Sequence, residues 1–235
     1  YYESDGIVAM VLGRLGWSSA APSSARPAQV LHRAYRAAGA AFPTLAVGHF
    51  ACAVIDSRQR KVVLAVDRFG VHPLYYAGLA DGGIAFATRA ADVLSMRGLG
   101  PELNGQGLYD YLYFHMLPAP ETVFSGVSKL EPACALVLDD GRLRCREYWT
   151  PDFTKESRRG RNELPDLLRT ELRSAVERAN TGAVKPGAFL SGGLDSSSVT
   201  GMLASQGLEH TDAYSIGFRA EGYDEMEYAR LAAGR

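Results

Sequence analysis

The fold is decided by the stretch Gly187-Ala188-Phe189-Leu190-Ser191-Gly192-Gly193-Leu194-Asp195-Ser196-Ser197. Its first four residues are an apolar run that predicts a short strand, and a turn with two glycines follows. Helical spacing then predicts a helix over residues 196–206, and a second apolar run predicts a strand over residues 212–218. Strand, glycine loop, helix and strand in this order are typical of a βαβ unit, which predicts a parallel sheet.

The loop between the first strand and the helix has the composition of an anion-binding site. Gly192 and Gly193 allow a tight turn whose N–H groups point into one concavity. The helix N-terminus adds unpaired N–H groups and a partial positive charge, and three hydroxyls are further donors: Ser191, Ser196 and Ser197. These features suit phosphates, and Asp195 fits such a site if Mg²⁺ mediates. An ordinary βα turn with an Asp or Ser helix cap is the alternative.

The character of the sequence changes near residue 150, where we expect a domain boundary. Beyond it, a charged segment at residues 157–161 predicts a solvated linker, and apolar residues recur at helical spacing from Leu167 to Ala179, with Pro165 near the start. Arg158, Arg159 and Arg161 could contact ATP or nucleic acid, but a solvated linker explains them without a ligand.

The first 150 residues predict an antiparallel sheet with a helix on its outside, because strand patterns follow one another across short turns. The strand at residues 48–56 is apolar on both faces, so we expect it to be covered on both sides. Helices are predicted from Val30 to Ala38 and over residues 106–116, and residues 18–27 have loop chemistry. The predicted strands cover residues 7–12, 48–56, 61–67, 74–77, 84–88, 135–138 and 143–149.

Some single residues in this half admit a structural interpretation. Asp67 and Arg68 follow a strand and are expected to form an internal ion pair that holds the sheet. Cys52 lies inside an apolar strand and is expected to be a buried structural thiol. Four aromatic residues resemble a stacking platform, but packing at a domain interface explains them without a ligand: Tyr109, Tyr111, Tyr113 and Phe114.

Composition excludes several classes of function. The chain has 235 residues, with 25 Lys plus Arg and 26 Asp plus Glu, which gives a net charge of -1. This balance provides no excess of positive charge for binding nucleic acid. No apolar run reaches the length of a membrane helix. Three cysteines lack zinc-type spacing, five histidines are scattered, and an odd cysteine count favours a reducing, cytoplasmic location. The cysteines are Cys52, Cys134 and Cys145, and the histidines are His32, His49, His72, His115 and His210.

The loop SGGLDSS has neither the Gly-Lys-Ser/Thr of a P-loop nor G-x-G-x-x-G, and it resembles the pyrophosphate-binding loop of N-type ATP pyrophosphatases. Together with Tyr214-Ser215-Ile216-Gly217-Phe218 and residues 223–230 (YDEMEYAR), it is similar to the asparagine synthetase family. That resemblance implies ATP and Mg²⁺: a carboxylate attacks the α-phosphate, pyrophosphate leaves, and an amine displaces AMP from the acyl-adenylate.

The resemblance also implies roles for individual residues. The phosphate cradle would be lined by Leu190, Ser191, Gly192 and Gly193. Asp195 would face the pyrophosphate and Mg²⁺, Ser196 would donate to the phosphate, and Ile216 would contact the adenine or ribose through its backbone. Asp224 and Glu225 match the family pattern without an assigned chemistry, and an acidic pair stabilised by a helix dipole explains them equally well.

The first half is similar to the glutamine amidotransferase domain of the same family, through residues 48–56 (GHFACAVID) and 67–76 (DRFGVHPLYY). The nearest resemblance is to the bacterial members associated with exopolysaccharide and protein-sorting clusters. The implied fold class is α/β: an Ntn-type α+β sandwich over residues 1–150, then the start of a parallel-sheet adenine nucleotide α-hydrolase-like domain over residues 151–235.

Three elements of the family's glutaminase site differ here. Residue 1 is Tyr, whereas the family's domain begins with a nucleophilic Cys. Leu12 replaces the oxyanion-stabilising Asn, and Pro27 lies near the position of the substrate-binding Asp, whereas Gly13 is retained. Either an N-terminal segment is missing or the domain is degenerate, and Leu12 and Pro27 favour the second explanation. No glutaminase catalytic residue is therefore assigned.

These features predict an ATP-dependent, AMP-forming amide ligase, in the simplest case an asparagine synthetase using glutamine or ammonia. The alternatives are a lactam- or macrolactam-forming cyclase with an inactive first domain, or a non-catalytic ATP-binding chain. Expected partners are small molecules, namely aspartate or another carboxylate and glutamine or ammonia, with a homodimer as candidate assembly and no nucleic acid or membrane. Because about 85 residues follow the boundary, we expect a fragment that forms adenylate poorly by itself.

Overall fold

The computed structural model describes residues 1–17, 25–97, 102–154, 160–180, 185–207, 211–219 and 224–234. The chain divides into two compact units, Tyr1–Asp152 and Phe153–Arg235. Most of the predicted loop at residues 18–27 lies outside the described residues, as do residues 157–159 of the predicted linker, His210 and Tyr223. The predicted mixed α/β class is confirmed.

The first unit is built on a six-stranded antiparallel sheet with strand order β1-β2-β3-β4-β8-β9. The longest ladder joins β2 and β3, which pair from Ile7 opposite Asp56 to Trp17 opposite Ala46. The strands are β1 (Tyr2–Ser4), β2 (Ile7–Trp17), β3 (Ala46–Asp56), β4 (Lys61–Val66), β8 (Cys134–Asp139) and β9 (Arg142–Glu147).

Three further strands form a second antiparallel sheet with order β6-β5-β7. They are β5 (Tyr75–Gly78), β6 (Ile84–Ala87) and the short β7 (Ser128–Lys129). Sequence patterning predicted one antiparallel sheet, because the turn chemistry between strands is the same in both. The tertiary structure separates the strands into two sheets at the loop that follows β4.

The core lies on both faces of the main sheet, and β3 shows why. Cys52 and Val54 belong to one buried cluster, with Leu31 and Phe42, whereas Ala51 and Ala53 belong to another, with Leu74 and Leu130. Successive side chains of a strand point to opposite faces, so β3 is buried on both sides, which confirms its prediction.

Three helices accompany these sheets: α1 (Pro27–Ala38), α2 (Ala90–Arg97) and α3 (Gly105–Phe114). Helix α1 buries Leu31 and Tyr35 at helical spacing, and a 3₁₀ helix from Gly39 to Leu45 follows it. The aromatic residues of α3 are exposed, with Tyr109 and Tyr113 stacked 6.3 Å apart. Their packing at a domain interface stays a prediction.

The second unit contains helix α4 (Leu164–Asn180), then β10 (Gly187–Phe189), α5 (Leu194–Ala204), β11 (Asp212–Tyr214) and α6 (Met226–Ala233). Strands β10 and β11 are parallel, with Gly187 opposite Asp212 and Phe189 opposite Tyr214. The predicted βαβ order is therefore confirmed. Within the described ranges, no helix combines the length and apolarity needed to cross a membrane.

The buried carboxylate of Asp67 ties together several segments of the first unit. It accepts hydrogen bonds from the backbone N–H groups of Phe50 (3.0 Å), Phe69 (2.9 Å) and Val71 (3.1 Å). The predicted ion pair with Arg68 is wrong, because this side chain lies over the ring of Trp149, 5.1 Å from its centroid. Backbone amides at the turn after β4 need acceptors, and the carboxylate supplies them.

Replacing Asp67 with Ala should lower the free energy of unfolding of the first unit by at least about 2 kcal/mol, because three backbone amides, one in a buried and two in partly buried hydrogen bonds, lose their acceptor. Both tryptophans, Trp17 and Trp149, lie in this unit, so urea unfolding followed by tryptophan fluorescence reports on it. Asp81→Ala is the matched control, since exposed Asp81 accepts a hydrogen bond from Gly83 and, among the described residues, from no other group. Equal stabilities of the two variants would contradict the assigned role.

Candidate functional site

The loop identified in the sequence lies at the carboxyl ends of the parallel strands β10 and β11. Leu190 is buried, its N–H donates to the carbonyl oxygen of Tyr214 at 2.8 Å, and its own carbonyl accepts from the Ser215 hydroxyl at 2.6 Å. Both strands therefore end at the same edge of the sheet, which is where open α/β sheets place their ligands.

Gly192 cannot be replaced by a residue with a side chain without disturbing the turn. Its φ is +86°, and a Cβ atom there would lie 2.3 Å from the carbonyl carbon of Tyr228 and 2.5 Å from the amide nitrogen of Ala229. Helix α6 therefore packs directly on the glycine backbone. The sequence predicted a tight turn, but the segment that approaches the glycine is visible only in the tertiary structure.

Helix α5 begins at Leu194, two residues earlier than predicted, with Gly193 as its N-cap and without a side-chain cap hydrogen bond. The alternative of an Asp or Ser cap is therefore wrong. Asp195 and Ser196 fall in the first turn, where backbone N–H groups have no partner within the helix. Asp195 is exposed at this end.

The hydroxyl groups of Ser191 and Ser196 accept hydrogen bonds from backbone amides of the loop. The Ser191 N–H donates to Ser196 Oγ at 3.2 Å, the two Oγ atoms are 3.0 Å apart, and the Gly193 N–H donates to Ser191 Oγ at 3.4 Å. These hydrogen bonds satisfy loop amides that a phosphate oxygen could accept from equally well. The residues fit a phosphate group, because donors of two kinds, amide and hydroxyl, converge on one turn.

The other predicted site residues are placed as follows. Ile216 is exposed and comes directly after Ser215, whose hydroxyl binds the loop at Leu190. Asp224 is structural: its Oδ1 accepts from the N–H groups of Met226 (3.3 Å) and Phe218 (3.4 Å), so it joins the start of α6 to the segment after β11. Glu225 is the N-cap residue of α6. The roles given to Leu190, Ser191, Gly192, Gly193, Asp195, Ser196 and Ile216 remain predictions.

Sequence reasoning overlooked two participants in this region, Ser215 and the Tyr228–Ala229 backbone. Ser215 follows the end of β11, and its hydroxyl group matters because it donates to the carbonyl oxygen of Leu190 at the end of another strand. The contact of α6 with Gly192 is also long-range, and only the glycine itself could have signalled it.

In the first unit, the segment that resembles a glutaminase site is part of β2. Leu12 pairs with Ala51 and is 45% exposed, and its aliphatic side chain cannot donate a hydrogen bond. Gly13 has φ +85°, and a Cβ atom would lie 2.3 Å from the His49 carbonyl oxygen and 2.5 Å from the His72 ring. Pro27 is the first residue of α1, a position that suits proline.

The predicted burial of Cys52 is confirmed, and burial raises the pKa of its thiol far above the ordinary value. A thiol of this kind is protonated at neutral pH and is a poor nucleophile. Cys52 therefore cannot replace the family's nucleophile.

Comparison with known proteins agrees with both halves of this description. Residues 17–149 match the glutamine amidotransferase domain family, and residues 167–235 match the asparagine synthase family. The chain belongs to the asparagine synthetase family, with a glutamine amidotransferase domain followed by asparagine synthase sequence.

Some of the relatives are named asparagine synthetases and others are named amidases. A putative glutamine-hydrolysing asparagine synthetase of Mycobacterium tuberculosis H37Rv is 31% identical over 193 residues, which is 79% of this chain and 29% of that protein. Asparagine synthetase 1 of Bacillus subtilis is 27% identical over 187 residues, again 79% of this chain and 29% of that protein. The amidase chry2 of Gibberella zeae is 30% identical over 217 residues, 85% of this chain and 32% of that protein. This chain thus spans about a third of the length of its relatives.

Among solved structures, the chain is similar to the glutamine phosphoribosylpyrophosphate amidotransferase of B. subtilis in complex with ADP and GMP. The sequence identity is 11%, the TM-score is 0.39, and the match covers 95% of this chain and 49% of that chain. The family assignment does not depend on this likeness.

Gly192→Ala should loosen α6 from the loop, because the new Cβ atom meets the backbone of Tyr228 and the positive φ costs about 1 kcal/mol. Hydrogen exchange followed by mass spectrometry should show faster exchange across Met226–Ala233. Gly201→Ala is the control: it lies inside α5, a Cβ atom meets nothing within 4 Å, and exchange in α6 should not change. Unaltered exchange in both variants would show that α6 does not depend on Gly192.

Proposed function

We propose that this chain carries the ATP-binding loop of an AMP-forming carbon–nitrogen ligase of the asparagine synthetase type. One observation carries the proposal: the loop from Leu190 to Ser196 joins a strand end to an uncapped helix N-terminus, within the residues that match the asparagine synthase family. Amide and hydroxyl donors meet there at the carboxyl edge of a parallel strand pair.

The proposed reaction has two steps. A carboxylate oxygen attacks the α-phosphorus of ATP, the bond to the bridging oxygen of the β-phosphate breaks, and pyrophosphate leaves. An amine nitrogen then attacks the acyl carbon, AMP leaves with the carboxylate oxygen, and the nitrogen loses its proton to water. We assign the donors of the loop to the first step, because amide and hydroxyl donors can stabilise the charge that develops on the leaving pyrophosphate.

Each loop residue has a proposed role in binding Mg²⁺-ATP. The backbones of Gly192 and Gly193 approach the phosphates, and Ser191 and Ser196 exchange their mutual hydrogen bond for phosphate oxygens. Asp195, exposed in the first turn of α5, would help to hold Mg²⁺, which would offset the negative charge of the phosphates. Ile216 contacts the adenine or ribose.

The substrates are proposed by class. Aspartate is the simplest carboxylate, and ammonia or glutamine nitrogen is the simplest amine. Relatives named asparagine synthetase support aspartate as the carboxylate. Because a relative of similar identity is named an amidase, the carboxylate is proposed only as a class. We propose a cytoplasmic location, because Cys52, Cys134 and Cys145 are free thiols.

A second candidate is a cyclase that forms a lactam or macrolactam from an amine within its own substrate. The residue that favours it is Leu12, since an aliphatic side chain on β2 cannot stabilise the oxyanion of glutamine hydrolysis. Such an enzyme would not need glutamine as a source of nitrogen. Exchange of labelled pyrophosphate into ATP that depends on aspartate would favour asparagine synthesis over the cyclase.

The binding role of the loop can be tested on this chain directly. Ser196→Ala should weaken the binding of Mg²⁺-ATP at least roughly tenfold, because a hydrogen bond to a charged phosphate is worth about 1.5–3 kcal/mol. Asp195→Asn should reduce the difference in affinity between Mg²⁺-ATP and metal-free ATP. Isothermal titration calorimetry measures both effects.

The matched control is Ser205→Ala at the other end of α5, where the hydroxyl donates to the Met202 carbonyl oxygen. It should bind Mg²⁺-ATP as tightly as the unmodified chain. Equal affinity of Ser196→Ala and Ser205→Ala would remove the loop from the ATP site.

A further inference from the structure

Strand pairing in the first unit brings together two cysteines and a carboxylate that the sequence keeps apart. The Sγ atoms of Cys134 and Cys145 and a carboxylate oxygen of Glu131 lie within 4.8 Å of one another. Over the part of the chain that the structure describes, these are the only three His, Cys, Asp or Glu side chains found grouped closely enough to hold a metal ion.

The register of β8 and β9 explains the approach of the two thiols. Cys134 lies opposite Glu147, and Cys145 lies opposite Leu136. Because side chains alternate between the two faces of a sheet, Cys134 and Cys145 are diagonal neighbours on the same face. The arginines of β9 occupy the alternate positions, so they point to the opposite face: Arg142, Arg144 and Arg146.

A tight turn adds the carboxylate. The Cys134 N–H donates to the Glu131 carbonyl oxygen at 3.2 Å, Pro132 occupies the second position of the turn, and Ala133 has φ +58°. Proline in the second position and positive φ in the third are the features of a type II turn. This turn folds Glu131 back toward the thiol three residues later.

The cluster is half open to solvent. Cys134 is buried beside Leu130 and Leu136, whereas Cys145 and Glu131 are exposed, so an ion can reach the thiols from one side. A bound cation would supply the positive charge that stabilises the two thiolates.

The geometry suits a metal ion better than a disulfide. Diagonal neighbours in an antiparallel pair are separated by roughly 7–8 Å, whereas disulfides join residues whose Cα atoms are usually about 4.4–6.8 Å apart. Thiolates select soft and borderline cations, and Zn²⁺ commonly takes three protein ligands and one water molecule.

We propose that Glu131, Cys134 and Cys145 form a binding site for a thiophilic divalent cation such as Zn²⁺. Binding releases one proton from each thiol to the solvent, and a water molecule completes the coordination. The ion links the β8–β9 hairpin to the turn that precedes it. All three residues belong to the first unit, and this proposal does not depend on the proposed function.

Cd²⁺ is a suitable probe, since cadmium–thiolate bonds give an ultraviolet charge-transfer band. Titration of the reduced full chain should produce this band with one Cd²⁺ per chain. Cys145→Ser should remove it, and Glu131→Gln should weaken binding at least roughly tenfold, as loss of even an outer-shell partner does. Cys52→Ala is the matched control, because it removes a cysteine outside the cluster, and the band should persist.

Three results of the titration would overturn the proposal: no band in the unmodified chain, an unchanged band in Cys145→Ser, or a band lost equally in Cys52→Ala. A Cys134–Cys145 disulfide in the purified chain, detected by mass spectrometry, would also overturn it. Tryptophan emission confirms that each variant is folded. Because Glu131 is exposed, Glu131→Gln tests the site without disturbing the core.

Discussion

The buried carboxylate of Asp67 is the interaction on which the first unit depends. Besides its three backbone donors, its own N–H donates to the Phe50 carbonyl oxygen at 2.9 Å, and its carbonyl accepts from Gly70 and Ala133. One residue thus joins the middle of β3, the end of β4, the loop toward β5 and the turn before β8. The separation of the strands into two sheets occurs at this junction.

In the second unit, backbone N–H groups at a strand end are also satisfied by side chains, but by hydroxyl groups instead of a carboxylate. Backbone N–H groups that leave a strand need acceptors, and after β10 the hydroxyls of Ser191 and Ser196 provide them. A carboxylate in the core makes a permanent connection, whereas two exposed hydroxyls can be displaced by a ligand. This difference explains why one strand end is a structural junction and the other is the candidate ATP site.

The first unit matches a glutamine amidotransferase domain, but neither Leu12 nor Cys52 provides the chemistry of glutamine hydrolysis. The glutamine amidotransferase match covers residues 17–149, yet Leu12 lacks a donor and Cys52 is a buried, protonated thiol. A fold can be retained after its site has changed, because the core and the site depend on different residues. The loop after β10 carries amide and hydroxyl groups that could donate to a phosphate, as the proposed function requires.

Most of the elements could be predicted from the sequence, because strand and helix periodicity are local. The βαβ order after residue 185 and the double burial of β3 are examples. The expected ion pair between Asp67 and Arg68 was wrong, because adjacency in the sequence does not reveal that Phe50 and Val71 bring their amides to Asp67. The prediction of a single antiparallel sheet was incomplete for the same reason. The sequence of a turn does not show which of two sheets its strands belong to.

The sequence by itself determined the glycine-rich loop, its serines and its aspartate, since turn, strand and helix signals lie within a few residues of one another. Only the tertiary structure decided what this loop and the cysteines contact. Helix α6 packs on Gly192, and the β8–β9 register makes Cys134 and Cys145 neighbours. Such contacts depend on pairing and packing between distant segments, and local patterns carry no information about either.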